Sequence, residues 1–211
     1  MKHNNKSGEE GGNMGKKIAI TGGIGSGKSY VAEYIKRLGY PVFSCDDIYK
    51  EISNSATYLK KVKQLFPGCV FEGKIDRQLL AKTIFSDKMK LEELNQLSHP
   101  LIMEKLYCEM DKAEGKFIFA EVPLLFEGGF EKDFHETIYV KRNLPERIQG
   151  VMQRDNLSEE EALRRIQNQY KFEDVLHKIE EEALKVTFIE NDSTLDALNI
   201  KINSMIKQLK T

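Results

Sequence analysis

Eight residues, Gly22-Gly23-Ile24-Gly25-Ser26-Gly27-Lys28-Ser29, fit G-x-x-x-x-G-K-[ST] at every fixed position. The apolar run Lys17-Ile18-Ala19-Ile20-Thr21 precedes them and is short enough for a buried strand. Tyr30 to Leu38 follow with helical periodicity. Strand, glycine loop and helix in that order make the pattern a phosphate cradle rather than a flexible turn. Gly22, Gly23, Gly25 and Gly27 place no Cβ in the way of inward-facing N–H groups and allow positive φ. The helix opening near Lys28 adds unpaired N–H groups and the positive end of its dipole. Lys28 brings a mobile charge to the β and γ phosphates, and Ser29 offers a hydroxyl to Mg²⁺. The expected ligands are therefore a nucleoside triphosphate and Mg²⁺, the cation carried largely by phosphate oxygens and water.

Five nearly continuous apolar segments read as strands: Lys17 to Thr21, Pro41 to Ser44, Phe117 to Glu121, Thr137 to Lys141 and Val186 to Glu190. Helical stretches separate them, so the expected architecture is α/β with a five-stranded parallel sheet and right-handed crossovers. Ligands then gather at the carboxyl ends of the strands. Residues 46–115 exceed one crossover and read as an inserted helical region that shapes a substrate pocket, with helices over Arg77 to Phe85 and Lys88 to Leu97. Residues 142–185 read as a charged helical lid and a following helix. Ser158-Glu159-Glu160-Glu161 opens a long helix there, with Leu157, Leu163, Ile166 and Tyr170 as its buried stripe. Leu195, Leu198, Ile202, Met205, Ile206 and Leu209 repeat at helix spacing near the C-terminus and read as core packing.

With 211 residues, 40% hydrophobic and 31% charged, the chain suits one soluble α/β domain over residues 14–211. A formal net charge of −1 points to neither bulk nucleic-acid nor membrane binding, and no apolar run approaches the ~20 residues of a membrane helix. Three cysteines, Cys45, Cys69 and Cys108, without metal spacing fit a reducing cytoplasm. Residues 1–13 are polar and glycine-rich; they read as a disordered tail without a signal peptide, with Met14 as an alternative start. The expected assembly is a monomer or a weak homo-oligomer.

Two groups of carboxylates stand at strand ends. Asp46 and Asp47 follow the second strand, where a carboxylate can orient or accept the proton of an acceptor hydroxyl. A helix N-cap accounts for either aspartate equally well. Glu121 ends the third strand, the usual place of the acid that holds Mg²⁺ through water. Glu127 is a second acid nearby, or a solvated loop charge.

Several segments together resemble the dephospho-CoA kinase family. Thr21 to Ser29 match its T-G-G-I-G-S-G-K-S, and Val122-Pro123-Leu124-Leu125-Phe126-Glu127 matches its V-P-L-L-F-E. Ile75-Asp76-Arg77 resembles I-D-R, and Asn95 to Ile102, with His99-Pro100-Leu101-Ile102, resembles the L-x-x-I-x-H-P-L-I region. Arg154 and Gln169 stand fifteen apart, as the family's lid Arg and Gln do. The resemblance implies a P-loop NTPase three-layer fold with a helical lid. It also implies transfer of the γ-phosphoryl of ATP to the ribose 3′-hydroxyl of dephospho-CoA, the last step of coenzyme A synthesis. Asp46 takes the place of the base, and Arg154 closes from the lid beside Lys28. Gly23, Ile24, Gly25, Ser26, Gly27, Lys28, Ser29 and Tyr30 are the implied nucleotide contacts, with Asn191 beside the adenine, and Ser29 and Glu121 serve the metal.

His99, Pro123 and Leu124 line the implied substrate pocket, His99-Pro100 shaping a helix break rather than moving a proton. Arg77 meets either substrate phosphate or a helix carboxylate. Departures from the family pattern are Ser44 for the first acid of D-A-D, Gly150 for an arginine, Lys185-Val186 before the last strand, and extra length between Gln169 and Asn191. The nearest rival reading is another P-loop small-molecule kinase, acting on a nucleoside monophosphate or a sugar. A guanine-binding switch would need N-K-x-D, which the sequence lacks.

Overall fold

The computed structural model describes residues 15–210; the expected tail at residues 1–13 and the alternative start at Met14 lie outside them. Seven strands and nine α-helices alternate as β1 (Lys16–Thr21), α1 (Lys28–Arg37), β2 (Val42–Ser44), α2 (Cys45–Ile52), α3 (Ala56–Leu65), β3 (Val70–Phe71), β4 (Lys74–Ile75), α4 (Arg77–Phe85), α5 (Lys88–Lys112), β5 (Phe117–Glu121), β6 (Glu136–Lys141), α6 (Leu144–Asp155), α7 (Glu159–Gln167), α8 (Phe172–Glu181), β7 (Val186–Glu190) and α9 (Leu195–Leu209) among the described residues. The five expected strands form one parallel sheet in the order β2-β5-β1-β6-β7.

Period-2 alternation divides each central strand between two cores. Ile18, Ile20, Phe117, Phe119, Ile138 and Val140 pack against α1 and α9 on one face. Ala19, Ile118, Ala120 and Tyr139 meet α2, α5 and α8 on the other. These are the three layers. Burial on both faces is why the strands read as unbroken apolar runs. The inserted region has its own core of Tyr58, Val62, Phe66, Leu80, Ile84 and Leu94. It also holds a small antiparallel hairpin, β3 with β4, too short to show in the sequence pattern.

Pro100 does not break a helix. Residues 88–112 form one continuous helix with the proline inside it. An interior proline costs about 3 kcal/mol or more. Here Leu94 and Ser98 before it, and Met103, Leu106 and Met110 after it, are buried along one helix, and that packing holds the two halves together. The capping box Ser158–Glu161 forms as expected, but its helix has only nine residues. Its buried positions are Ala162 and Ile166, whereas Tyr170 lies beyond the helix and is exposed. In α9 the buried stripe is Leu198, Ile202, Met205 and Ile206, while Leu195 is exposed.

Candidate active site

Parallel strands deliver five chain segments to one edge. Thr21 leads into the glycine loop, Ser44 into Asp46, Glu121 into Pro123, Lys141 into Arg142 and Glu190 into Asn191. The loop takes the backbone its glycines permit, with φ of +144° at Gly22, +79° at Gly25 and +91° at Gly27. A Cβ at Gly25 would stand 2.5 Å from Arg147 O, so close approach as well as φ requires glycine there.

Lys28 is only 8% exposed. Burial lowers its pKa, partly offset by the negative charges of Glu121 and Asp46. Ser29 Oγ donates to Glu121 Oε1 at 2.6 Å. A hydroxyl and a carboxylate, both hard oxygen donors beside a phosphate loop, fit Mg²⁺. Asn191 is buried, and its Nδ2 donates to Ser26 O at 2.9 Å. Its amide nitrogen thus braces the phosphate loop. Tyr30, expected among the nucleotide contacts, turns away: its hydroxyl donates to Asn199 Oδ1 at 3.0 Å on α9, and its N–H is bonded to Gly27 O at 3.0 Å.

The two aspartates separate clearly. Ser44 is the N-cap of α2, accepting from the Asp47 N–H at 3.4 Å, so neither aspartate serves as the cap. The departure from D-A-D thus carries a capping role. Asp47 forms an exposed ion pair with Lys50 at 2.7 Å. Asp46 instead lies at a junction. It lines the groove that contains Ser29 and Glu121, and also an apolar cleft formed with Cys45, Tyr49, Pro123, Leu124 and Phe130. That cleft continues along α5 past His99 to Arg165 on α7 and to Asn168 and Gln169 just beyond it. His99 packs edge-on against Phe130 at 6.0 Å, and burial lowers its pKa, so it is a neutral wall of the cleft. Burial pushes the Cys45 thiol up to about 12, which leaves it protonated and inert. Arg77 opens α4 beside Lys50, outside the walls of the cleft.

Arg154 is 58% exposed and makes a two-point pair with Asp155 at 2.7 and 2.9 Å. Its charge acts on both Asp46 and Lys28, so it lies within electrostatic reach of the loop. Arg164 pairs with Glu160 in solvent. Arg147, which the sequence reading passed over, donates from Nε to Ile24 O at 3.0 Å, and Arg142 reaches Gly25 O at 3.5 Å. Gly150 faces the same carbonyl, so Arg142 fills the space beside it. The strand-end rule could have found Arg147, because it stands in the first helical turns after β6. Glu127, half-buried, accepts the Tyr170 N–H at 3.2 Å through one carboxylate oxygen.

Comparison with known proteins now bears on this arrangement. The profile of the dephospho-CoA kinase family matches residues 16–197. The chain belongs to that family. A dephospho-CoA kinase of Thermus thermophilus is 36% identical over 193 residues, 91% of either chain. One from Fusobacterium nucleatum is 33% identical, covering 88% of this chain and 94% of its own. Among solved structures, a Thermus thermophilus protein superposes with a TM-score of 0.76 at 35% identity, over 92% of this chain and 98% of that one. The Campylobacter jejuni dephospho-CoA kinase does so at 0.58 and 27%, over 92% and 97%. A shikimate kinase from Acinetobacter baumannii, at 0.52 and 12% identity, covers 92% of this chain and 93% of its own and shares the fold alone. As a member of the family the chain is a kinase, and ATP is its donor substrate. The segment between Gln169 and β7 holds α8, fastened by Lys178, which pairs with buried Glu131 at 2.5 Å and donates to Phe126 O at 3.1 Å. Lys185, the other departure, pairs with buried Glu136 at 2.6 Å.

Proposed function

We propose that this dephospho-CoA kinase family member carries the γ-phosphoryl group of ATP to the ribose 3′-hydroxyl of dephospho-CoA, giving coenzyme A and ADP. The observation that carries the reading is the position of Asp46, shared between the apolar cleft and the groove of Ser29 and Glu121. An acceptor in that cleft would set its hydroxyl beside the carboxylate, facing the loop. The hydroxyl oxygen bonds to the γ-phosphorus as the bond to the β–γ bridging oxygen breaks. Asp46 orients the hydroxyl and takes its proton, and ADP leaves with the electron pair. Lys28 and the loop N–H groups offset charge on the phosphates, and Arg154 adds a cation from the lid. Mg²⁺, held by Ser29 and Glu121, would supply further charge neutralisation when bound. Closure of the lid over the cleft excludes water, the competing acceptor.

The apolar walls Tyr49, Ile102, Met103, Leu124 and Phe130 favour a large, partly apolar acceptor over a small sugar. Free Cys45, Cys69 and Cys108 support a reducing cytoplasmic setting. Among the described residues no helix is long and apolar enough to cross a membrane. A monomer or weak homo-oligomer suits a cleft built within one chain. The test is transfer from labelled ATP to dephospho-CoA, with adenosine, AMP and gluconate alongside. Label in coenzyme A alone is the expected result; label in AMP or gluconate would favour the rival kinases.

A further inference from the structure

Ile24 is held on both sides by the lid. Its N–H donates to Gln169 Oε1 at 2.6 Å, and its carbonyl accepts from Arg147 Nε at 3.0 Å. Arg147 stands near the start of α6, and Gln169 stands two residues past α7. The two roots of the lid therefore meet on one residue of the glycine loop. Between those roots Asp155, the last residue of α6, joins the two helices by pairing with Arg165 of α7 at 2.8 Å, and it also pairs with its neighbour Arg154 at 2.7 Å. The next residue, Tyr170, is stitched by its N–H to Glu127 on the β5 side of the cleft.

We infer that Gln169 is a positioning residue, coupling the shape of the phosphate loop to the placement of the lid through the Ile24 amide. The inference rests on the reading of this loop as a nucleotide site. Ile24 lies between Gly23 and Gly25, where the backbone is permissive, so phosphate drawing neighbouring N–H groups inward also moves Ile24. Two short bonds then carry that movement to the lid roots. Because Asp155 ties Arg154 and α7 together, the same shift would aim Arg154 at the cleft. Gln169 acts on the reaction through Ile24 and Arg154, not on the phosphorus itself. A carbonyl oxygen is the right group there: it accepts from an N–H without placing negative charge beside a triphosphate.

Hydrogen exchange at the Ile24 amide, lid exchange, ADP affinity and turnover test this together. In the wild-type chain ADP should slow exchange across residues 144–167. Gln169→Met keeps length and removes the acceptor. Its Ile24 amide should exchange about tenfold faster, and kcat should fall about tenfold, with the Kd for ADP within about threefold of wild type. Gln169→Glu restores an acceptor, so Ile24 protection without nucleotide should return. Unchanged Ile24 exchange in Gln169→Met would overturn the inference, as would kcat within about twofold of wild type. So would kcat and ADP affinity falling by the same factor, or lid exchange in the wild type that ignores ADP. A wild-type chain that binds no ADP would overturn the nucleotide reading first, and this inference with it.

Discussion

The Ser29 hydroxyl donates to Glu121 Oε1 at 2.6 Å, joining the last residue of the phosphate loop to the end of β5, the strand beside β1. Glu121 is 7% exposed, and its negative charge also acts on the buried Lys28 ammonium. Glu121→Gln keeps shape and removes the charge. The expected result is a 10- to 100-fold higher Mg²⁺ requirement, read from activity against Mg²⁺ concentration. An unchanged Mg²⁺ profile would remove Glu121 from the metal site.

Asp46→Asn should retain ADP binding while lowering kcat by about 10²–10⁴, the usual scale for losing a general base. Asp47→Asn should lose little, because its partner is the exposed Lys50. Steady-state kinetics with calorimetric ADP binding would separate the two. A steep loss in the Asp47 variant instead would reverse their roles.

The sheet was legible because its strands are buried on both faces and so read as unbroken apolar runs. The glycine loop was legible because Gly25 and Gly27 need both positive φ and an absent Cβ. What stayed hidden depends on tertiary partners. Nothing in the composition near Pro100 shows that Leu94 before it is buried in the core of the inserted region while Met103 and Leu106 after it are buried against the sheet. Asn191 was expected at the adenine, yet its amide nitrogen turns back to Ser26 O, a contact made across 165 residues. Arg147 looked like any helix arginine until the fold brought it to Ile24 O.

Lys28→Met should lower kcat by about 10²–10³ without lowering the melting temperature by more than about 5 °C. Desolvation is the largest influence on the ammonium, so an apolar side chain of similar length removes a cost as well as a charge. Thermal melts and coupled ADP assays check both halves. A large drop in melting temperature would mean that Lys28 is needed to hold Glu121 and Asp46 together.

His99 links stability to pH. Burial holds its folded pKa below the usual 6.5, so as pH falls through 6.5 the unfolded chain takes up the proton first. The native state should therefore lose stability as pH drops below about 6.5, with no His99 contribution well above it. His99→Gln should flatten that slope relative to wild type in urea unfolding between about pH 5 and 7.5. Equal slopes would place His99 in water rather than against Phe130.

The most direct measurement is a crystal structure with ADP, Mg²⁺ and dephospho-CoA bound together. The account predicts the ADP phosphates within the loop of residues 22–29 and the ribose 3′-hydroxyl within about 3.2 Å of the Asp46 carboxylate. Phosphates bound elsewhere, or a 3′-hydroxyl facing away from Asp46, would contradict it.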